Sequence, residues 1–441
     1  NESKTQSDGG SQFKFVDAEF TNDNARFYQL SDLKAPMTDG TNIYGGTSIG
    51  LYPGGKEYRE AYTAAAALVN AGNTSNSNDC YTAYKALRAA NEGLSYNEAD
   101  PTKLYYIVST ATNAYCKGQY VHTYYEVQPS HNNYDHKDLV YHNFNDIATK
   151  ALAVFQFETT ETQGEYKMKN LHTGLYVKSF GKNADHLGSA NEAEVVKIAA
   201  IADGQVTLKI GNADPMHAQD DNDCIVSWGA SVGNASTWTI DEVTNIEEIC
   251  HNVAISSVGY STLYLNYPVA IPSGLSAYVA NEIVDDKWLN MKELEGTIPA
   301  RTAVVLNGNE GNYTFNIAKE TRSNNTVCIL EGTSYKQTIT KENGEYYVLA
   351  NIDGIGFYNA SNGAEETGNF TNAANKAYLH VYTTDGSPVS FFGFRFDDDS
   401  TSLENIETDC EEKIIYDLSG RKITEITEKG IYIVNGKKIV Y

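Results

Sequence analysis

The chain has 441 residues, with 33 Lys plus Arg against 57 Asp plus Glu and a formal net charge of −24. That length exceeds what one core usually holds and predicts three or four modules. The acidity argues against a nucleic-acid or anionic-membrane partner, whose phosphates would be repelled, and no apolar run is long enough to span a bilayer.

Tyrosine is the compositional outlier, with 32 Tyr beside 15 Phe, 3 Trp, 35 Gly and only 9 Pro. Tyr, Thr and Val suit pleated, half-exposed surfaces and Asn and Gly suit the turns between them, so a mainly β multidomain chain is predicted. Six cysteines, Cys80, Cys116, Cys224, Cys250, Cys328 and Cys410, are scattered without a CxxC pair. This spacing excludes a zinc ribbon or a thioredoxin-like site and predicts free thiols or occasional pairs. No secretory signal peptide is present, so a secreted form would be a processed chain or a fragment, and the polar "NESKTQSDGGSQ" fits a flexible mature start.

Residues 1–55 are rich in Gly, Asn and Asp with short apolar runs such as "FKFVDAEF", and read as a leader of strands and loops. In "EYREAYTAAAALVNAG" the residues Tyr58, Ala61, Tyr62, Ala65, Leu68 and Val69 recur at helical spacing, and Cys80, Ala83, Tyr84 and Leu87 repeat the pattern. Gly72 and Gly93 stand where helix C-terminal stops belong, and Ser77, Asn78 and Asp79 offer an N-cap, giving a helical hairpin within 56–100.

Residues 101–245 hold a weak threefold repeat. Opening strands read "YYIV", "YKMK" and "VTLK", and closing strands read "VFQFE", "VVKIA" and "TWTID". A second element recurs in "GLYVKS" and "PMHAQD", while the first unit alone carries the insertion "QPSHNNYDHKDLVYHNFND". The stretches "YKMKNLHTGLYVKS" and "SWGASVGNASTWTI" resemble the ricin-type β-trefoil family, on Asn170, Thr173, Gly174, Tyr176 and Val177 of the second lobe and Trp238 and Ile240 of the last strand. The resemblance implies a three-lobed barrel. Sugar-binding members can carry an Asp, an aromatic platform and an Asn or Gln in each lobe, a set that lobes two and three here do not repeat.

Residues 246–400 alternate in short segments, "TLYLNYPVAI", "TAVVLNG", "EYYVLAN", "KAYLHV" and "FFGFRFD", which read as a β-sandwich. Phrases such as "LNYPVAIPSGLSAYVA" and "GTIPARTAVVLNG" resemble a module that precedes the C-terminus of secreted proteins from Gram-negative anaerobes. Residues 405–441 read as a small β module. Within it, "YDLSGRKI" and "KGIYIVNGKKIVY" resemble the C-terminal sorting domain recognised by the type IX secretion system, at Tyr416, Asp417, Gly420, Arg421, Gly430, Tyr432, Val434, Lys438 and Val440. That resemblance implies a secreted or outer-surface protein of a Gram-negative bacterium and contact with secretion machinery. The terminal hairpin, guarded by Lys437 and Lys438, is suited to capture by another strand.

The sequence offers little catalytic chemistry. There is no G-x-S-x-G, H-E-x-x-H or P-loop, so no catalytic residue and no cofactor is assigned. His131, Asp135, His136, Asp138, His142 and Asp146 of the insertion lack metal-ligand spacing and read as a solvated loop rather than a metal site. The acid runs "QDDNDC" and "FDDDST" do not keep the alternation of a calcium loop. The best ligand-binding candidate is His217, Gln219, Asp221 and Trp228, which place donors, an acceptor and a flat ring within one hairpin. In the competing reading Trp228 fills the barrel bottom and the acids cap a turn. The leading expectation is a non-catalytic protein for adhesion or glycan binding, its partners being glycans or host or cell-surface glycoproteins. The alternatives are an accessory region of an extracellular glycoside hydrolase or peptidase, and a structural stalk without ligand.

Overall fold

A computed structural model describes residues 23–37, 39–72, 75–112, 115–123, 138–179, 185–220, 223–229, 232–318, 327–340, 344–360, 369–382, 389–396, 415–417, 422–423, 431–434 and 437–440. The chain divides into two compact units, Asn1–Phe396 and Asp397–Tyr441.

The first unit opens with three helices, α1 (Asp23–Lys34), α2 (Gly55–Ala71) and α3 (Ser77–Glu92). The Asn76 side chain caps α3 by accepting from the Asn78 and Asp79 amides, one residue before the cap that the sequence suggested. Gly54 and Gly72 bound α2 at φ 79°, a left-handed conformation that glycine adopts without steric cost. Helix α1 corrects the strand-and-loop reading of the leader 1–55 over Asp23–Lys34, and residues 1–22 lie outside the described residues. Phe27, Leu30 and Leu33 recur every three residues and pack on Tyr58, Tyr62, Ala65, Cys80, Ala83 and Leu87. An Ala-rich hairpin alone would leave this apolar face in water, and the third helix covers it.

The next twelve strands are β1 (Tyr105–Ser109), β2 (Tyr120–Thr123), β3 (Leu139–His142), β4 (Val154–Thr159), β5 (Glu165–Asn170), β6 (Tyr176–Ser179), β7 (Asp185–Gly188), β8 (Val195–Ala202), β9 (Gln205–Ile210), β10 (Met216–Ala218), β11 (Ile225–Ser227) and β12 (Trp238–Glu242). Six of them close a ring of antiparallel pairs, β1 to β12, β12 to β9, β9 to β8, β8 to β5, β5 to β4 and β4 back to β1. The other six form three hairpins, β2–β3, β6–β7 and β10–β11, one from each repeat. A six-strand barrel with three hairpins is a β-trefoil. Strict alternation produces it: Tyr166 and Met168 of β5 point inward while Lys167 and Lys169 do not. The centre is filled by Tyr105, Ile107, Phe155, Phe157, Leu208 and Trp238.

The helical part is locked into this barrel. Strand β12 meets β9 only at Trp238↔Val206, which leaves the Ile240 backbone open on that side. Ser48 and Ile49 fill the gap: Ile240 N donates to Ser48 Oγ (2.6 Å), while Ser48 Oγ (3.0 Å) and Ile49 N (3.3 Å) donate to Ile240 O. Ile49 and Leu51 are buried in the barrel core.

The third part of the unit is a β-sandwich built on a nine-stranded sheet. Its order is Tyr260–Leu263, Val304–Gly308, Leu275–Val284, Trp288–Leu294, Phe391–Phe396, Ile355–Asn359, Glu345–Asn351, Lys376–Val381 and Leu330–Thr333. All neighbours are antiparallel except Trp288–Leu294 with Phe391–Phe396. The strands Leu275–Val284 and Val304–Gly308 are buried on both faces and separate two cores. Ala277, Val279, Val304 and Leu306 face one, and Ala280 and Val305 face the other.

The trefoil and the sandwich share the first of these cores, to which the trefoil contributes Ala151, Val154 and Leu171. The Asn170 to Gly174 turn is the joint. Asn170 Oδ1 accepts from Thr173 N and Oγ1, and its Nδ2 donates to Leu152 O and Val154 O. The turn thereby presents His172 to the sandwich, where Asn266 Nδ2 donates to His172 O at 2.8 Å.

The second unit is a four-stranded antiparallel sheet in the order Lys422–Ile423, Ile415–Asp417, Ile431–Val434 and Lys437–Val440.

Candidate functional site on the third trefoil lobe

The register of β10 and β11 sorts the lobe-three residues. Met216 pairs with Ser227, His217 with Val226 and Ala218 with Ile225. Met216, Ala218 and Ile225 enter the barrel core, so His217 and its partner Val226 lie on the opposite face of the hairpin, where His217 is half-buried and Val226 is buried. Trp228 N donates to Pro215 O at 3.1 Å, continuing the ladder one step and placing Trp228 on the same face as His217.

Trp228 is 56% exposed, the one aromatic in that class among the described trefoil residues. The reading in which it fills the barrel is therefore wrong. Trp238 does so instead, fully buried, with its ring nitrogen donating to Met216 O at 3.1 Å. His217 is half-buried, with Nδ1 2.9 Å from Ser236 Oγ. Burial lowers its pKa, against an opposing pull from the Asp220 carboxylate, and favours the neutral imidazole.

Gln219 holds the hairpin through its backbone. Its amide donates to Cys224 O (2.9 Å) and its carbonyl accepts from Tyr141 OH (2.5 Å), so its backbone closes the hairpin and ties it to lobe one. Asp221 lies outside the described residues. The lobe thus brings His217 and Trp228 together, with Ser236 as a polar neighbour that the sequence did not single out.

Lobe one meets this hairpin through a chain that sequence reasoning missed. His122 Nε2 lies 2.7 Å from His142 Nδ1, and His142 Nε2 lies 3.8 Å from Asp223 Oδ2, in the β10–β11 turn. His122 Nδ1 sits 2.9 Å from the Thr123 carbonyl, which can only accept, so Nδ1 carries the proton and Nε2 accepts from His142. Burial pushes the His122 pKa down to about 4. Asp138 Oδ2 accepts from Leu187 N, and Asp146 Oδ2 accepts from Asn143 Nδ2. His131, Asp135 and His136 lie outside the described residues. No group of three metal-ligating side chains occurs among the described residues.

In the C-terminal unit, Tyr416 and Asp417 lie on Ile415–Asp417, Tyr432 on Ile431–Val434 and Lys438 on Lys437–Val440. Tyr416 pairs with Ile433 and Ile433 with Lys438, so the three share one cross-strand row. Gly420, Arg421 and Gly430 lie outside the described residues. Lys437–Val440 is the outermost strand of its sheet.

No family model and no curated protein matches this chain. Among solved structures it is similar to the "BEL beta-trefoil" in its apo form, at 10% identity and a TM-score of 0.25, over 33% of this chain and 95% of the other. It is also similar to the Polyporus squamosus lectin bound to a sialylated epitope, at 14% identity and a TM-score of 0.25, over 35% of this chain and 51% of the other. A third is SeviL bound to the asialo-GM1 saccharide, at 12% identity and a TM-score of 0.22, over 32% and 96% of the two chains. The trefoil assignment rests on the closed ring and its three hairpins, and these likenesses add no argument to it.

Among the described cysteines, Cys80, Cys116, Cys250 and Cys328 are free thiols. Burial raises the pKa of Cys80, Cys116 and Cys328, which disfavours the reactive thiolate. No helix among the described residues is long and apolar enough to cross a membrane.

Proposed function

We propose that this chain is a non-catalytic glycan-binding protein, secreted or held at the surface of a Gram-negative bacterium, whose third trefoil lobe carries the binding. The observation behind this is the exposed Trp228 ring on the same hairpin face as the half-buried His217. An exposed indole offers a flat apolar surface and an N–H donor, the mixture that a sugar ring with its hydroxyls requires. Because the chain carries a net charge of −24, neutral glycans are the better partners, displayed free or on host or cell-surface glycoproteins.

Export through a type IX route is the second part of the proposal. It draws support from the Tyr416, Asp417, Tyr432 and Lys438 pattern and from the outermost strand Lys437–Val440. A glycan array probed with the full chain, alongside an assay for released reducing sugar or peptide, tests the non-catalytic reading. Binding without turnover is expected, and turnover would transfer the chain to the accessory region of an exoenzyme.

A further inference from the structure

A basic pair stands at the seam between lobe two and the sandwich. Lys169 of β5 pairs with Tyr176 of β6, and its Nζ lies 5.7 Å from the centre of the Tyr176 ring. Their neighbours Met168 and Val177 enter the barrel core, so Lys169 and Tyr176 lie on the opposite face, where both are partly exposed. Tyr176 OH donates to Glu158 Oε1 at 2.5 Å, which fixes the ring beside the ammonium.

Arg301 comes to the same place from the sandwich. A Cβ on Gly174, in the turn between β5 and β6, would stand 3.0 Å from the Asn266 side chain. The adjoining Leu265 carbonyl accepts from Arg301 N at 2.7 Å. Arg301 holds φ 58°, a conformation that side-chain-bearing residues rarely adopt, and it is exposed. Its guanidinium is within electrostatic reach of both Lys169 and Tyr176.

The two cations lack the acid that others in this chain have. Arg59, Arg88, Lys103, Lys178 and Lys197 each hold a carboxylate at 2.5–3.1 Å. Among the described residues, the side chains of Lys169 and Arg301 make no salt bridge and no hydrogen bond. Burial, and after it the charge of Arg301, holds the Lys169 pKa below the ordinary lysine value, while Glu158 pulls the other way. An anion between the two cations would relieve both the repulsion and the lost hydration.

We infer that this seam is a second glycan-binding site, which takes a sugar bearing one carboxylate or sulfate group between Lys169 and Arg301, with its ring against Tyr176. A guanidinium fork suits the paired oxygens of either group, and the tyrosine ring suits an apolar sugar face. Two cations less the Glu158 carboxylate leave one net positive charge, which matches a single anionic group. A polyanion would meet the net charge of −24 along its length, whereas one small group responds to charges within about 8 Å in physiological salt. The site shares no residue with lobe three and stands whether or not Trp228 binds.

A glycan array holding sialylated, uronate-terminated and sulfated glycans beside their neutral parents tests it with the full chain, followed by titration calorimetry of the strongest acidic hit. At least one acidic glycan should bind about tenfold more tightly than its neutral parent, and whether carboxylates, sulfates or both do so identifies the anion. Lys169→Met keeps the apolar stem without the charge, and Arg301→Gly suits the positive φ. Each should weaken the acidic hit at least about tenfold with an unchanged melting curve, while Trp228→Ala leaves it unaltered. The inference is overturned if no acidic glycan outbinds its neutral parent, if the folded Arg301→Gly chain keeps the parent affinity, or if Trp228→Ala alone abolishes the acidic hit.

Discussion

His172 and Ser334, 162 residues apart, hold the trefoil and the sandwich together through both of their side chains. His172 Nε2 lies 3.1 Å from Ser334 O, and Ser334 Oγ returns a hydrogen bond to Thr173 O at 3.0 Å. The His172 ring is fully buried, 6.1 Å from that of His251 and 6.2 Å from that of Tyr267.

This joint predicts acid sensitivity. Burial, reinforced by His251, pushes the His172 pKa down to about 3, and burial with Lys376 pushes that of His251 to about 4. The unfolded chain takes up these protons near the ordinary value of about 6.5, so between there and about 4 it holds more protons than the folded chain. The histidine contribution is complete above about pH 6.5 and is lost as pH falls through that window. His172→Gln keeps an N–H donor but cannot titrate. Melting curves at about pH 7 and about pH 5 should show a Tm drop in the parent that is about 4 °C smaller in the variant. An equal drop in both would remove His172 from the acid response.

Ser48→Ala probes the docking of the helical part. Without Ser48 Oγ the buried Ile240 amide loses its acceptor at 2.6 Å, a loss of about 1–3 kcal/mol. The melt should shift down by several degrees, and hydrogen exchange at Ile240 should speed up while that in the sandwich strands does not. Unchanged exchange at Ile240 would mean that water or a neighbouring group replaces the serine.

Truncation after Phe396 tests the C-terminal unit. Since Asn1–Phe396 is compact by itself, the shortened chain should keep its melting temperature and glycan binding. Expressed behind a secretory signal peptide in a bacterium with a type IX system, it should stay inside the cell envelope while the full chain reaches the medium or surface. Export of both would contradict the sorting role.

Much of the fold was legible because its signal is local. Tyr166 and Met168 enter the trefoil core because inward and outward positions alternate along a strand, and the same alternation recurs in all three lobes. Helix α1 was obscured by the Gly- and Asn-rich composition around it, although Phe27, Leu30 and Leu33 already carried the period. The sequence left open which tryptophan is inside, since Trp228 and Trp238 stand in the same lobe. The barrel seam decides it, because β12 closes the ring while Trp228 follows an outer hairpin. The His172–Ser334 and His122–His142–Asp223 contacts join residues far apart in the chain, which no spacing rule anticipates.

In the proposed function, lobe three binds glycan through Trp228. Titration calorimetry of the parent and of Trp228→Ala, with the oligosaccharide that a glycan array ranks highest, tests it most directly. At 56% exposure, loss of the ring should leave the melting temperature within about 1 °C while raising Kd by at least about tenfold. An unchanged Kd for every array-positive glycan, with the variant folded, would contradict the account.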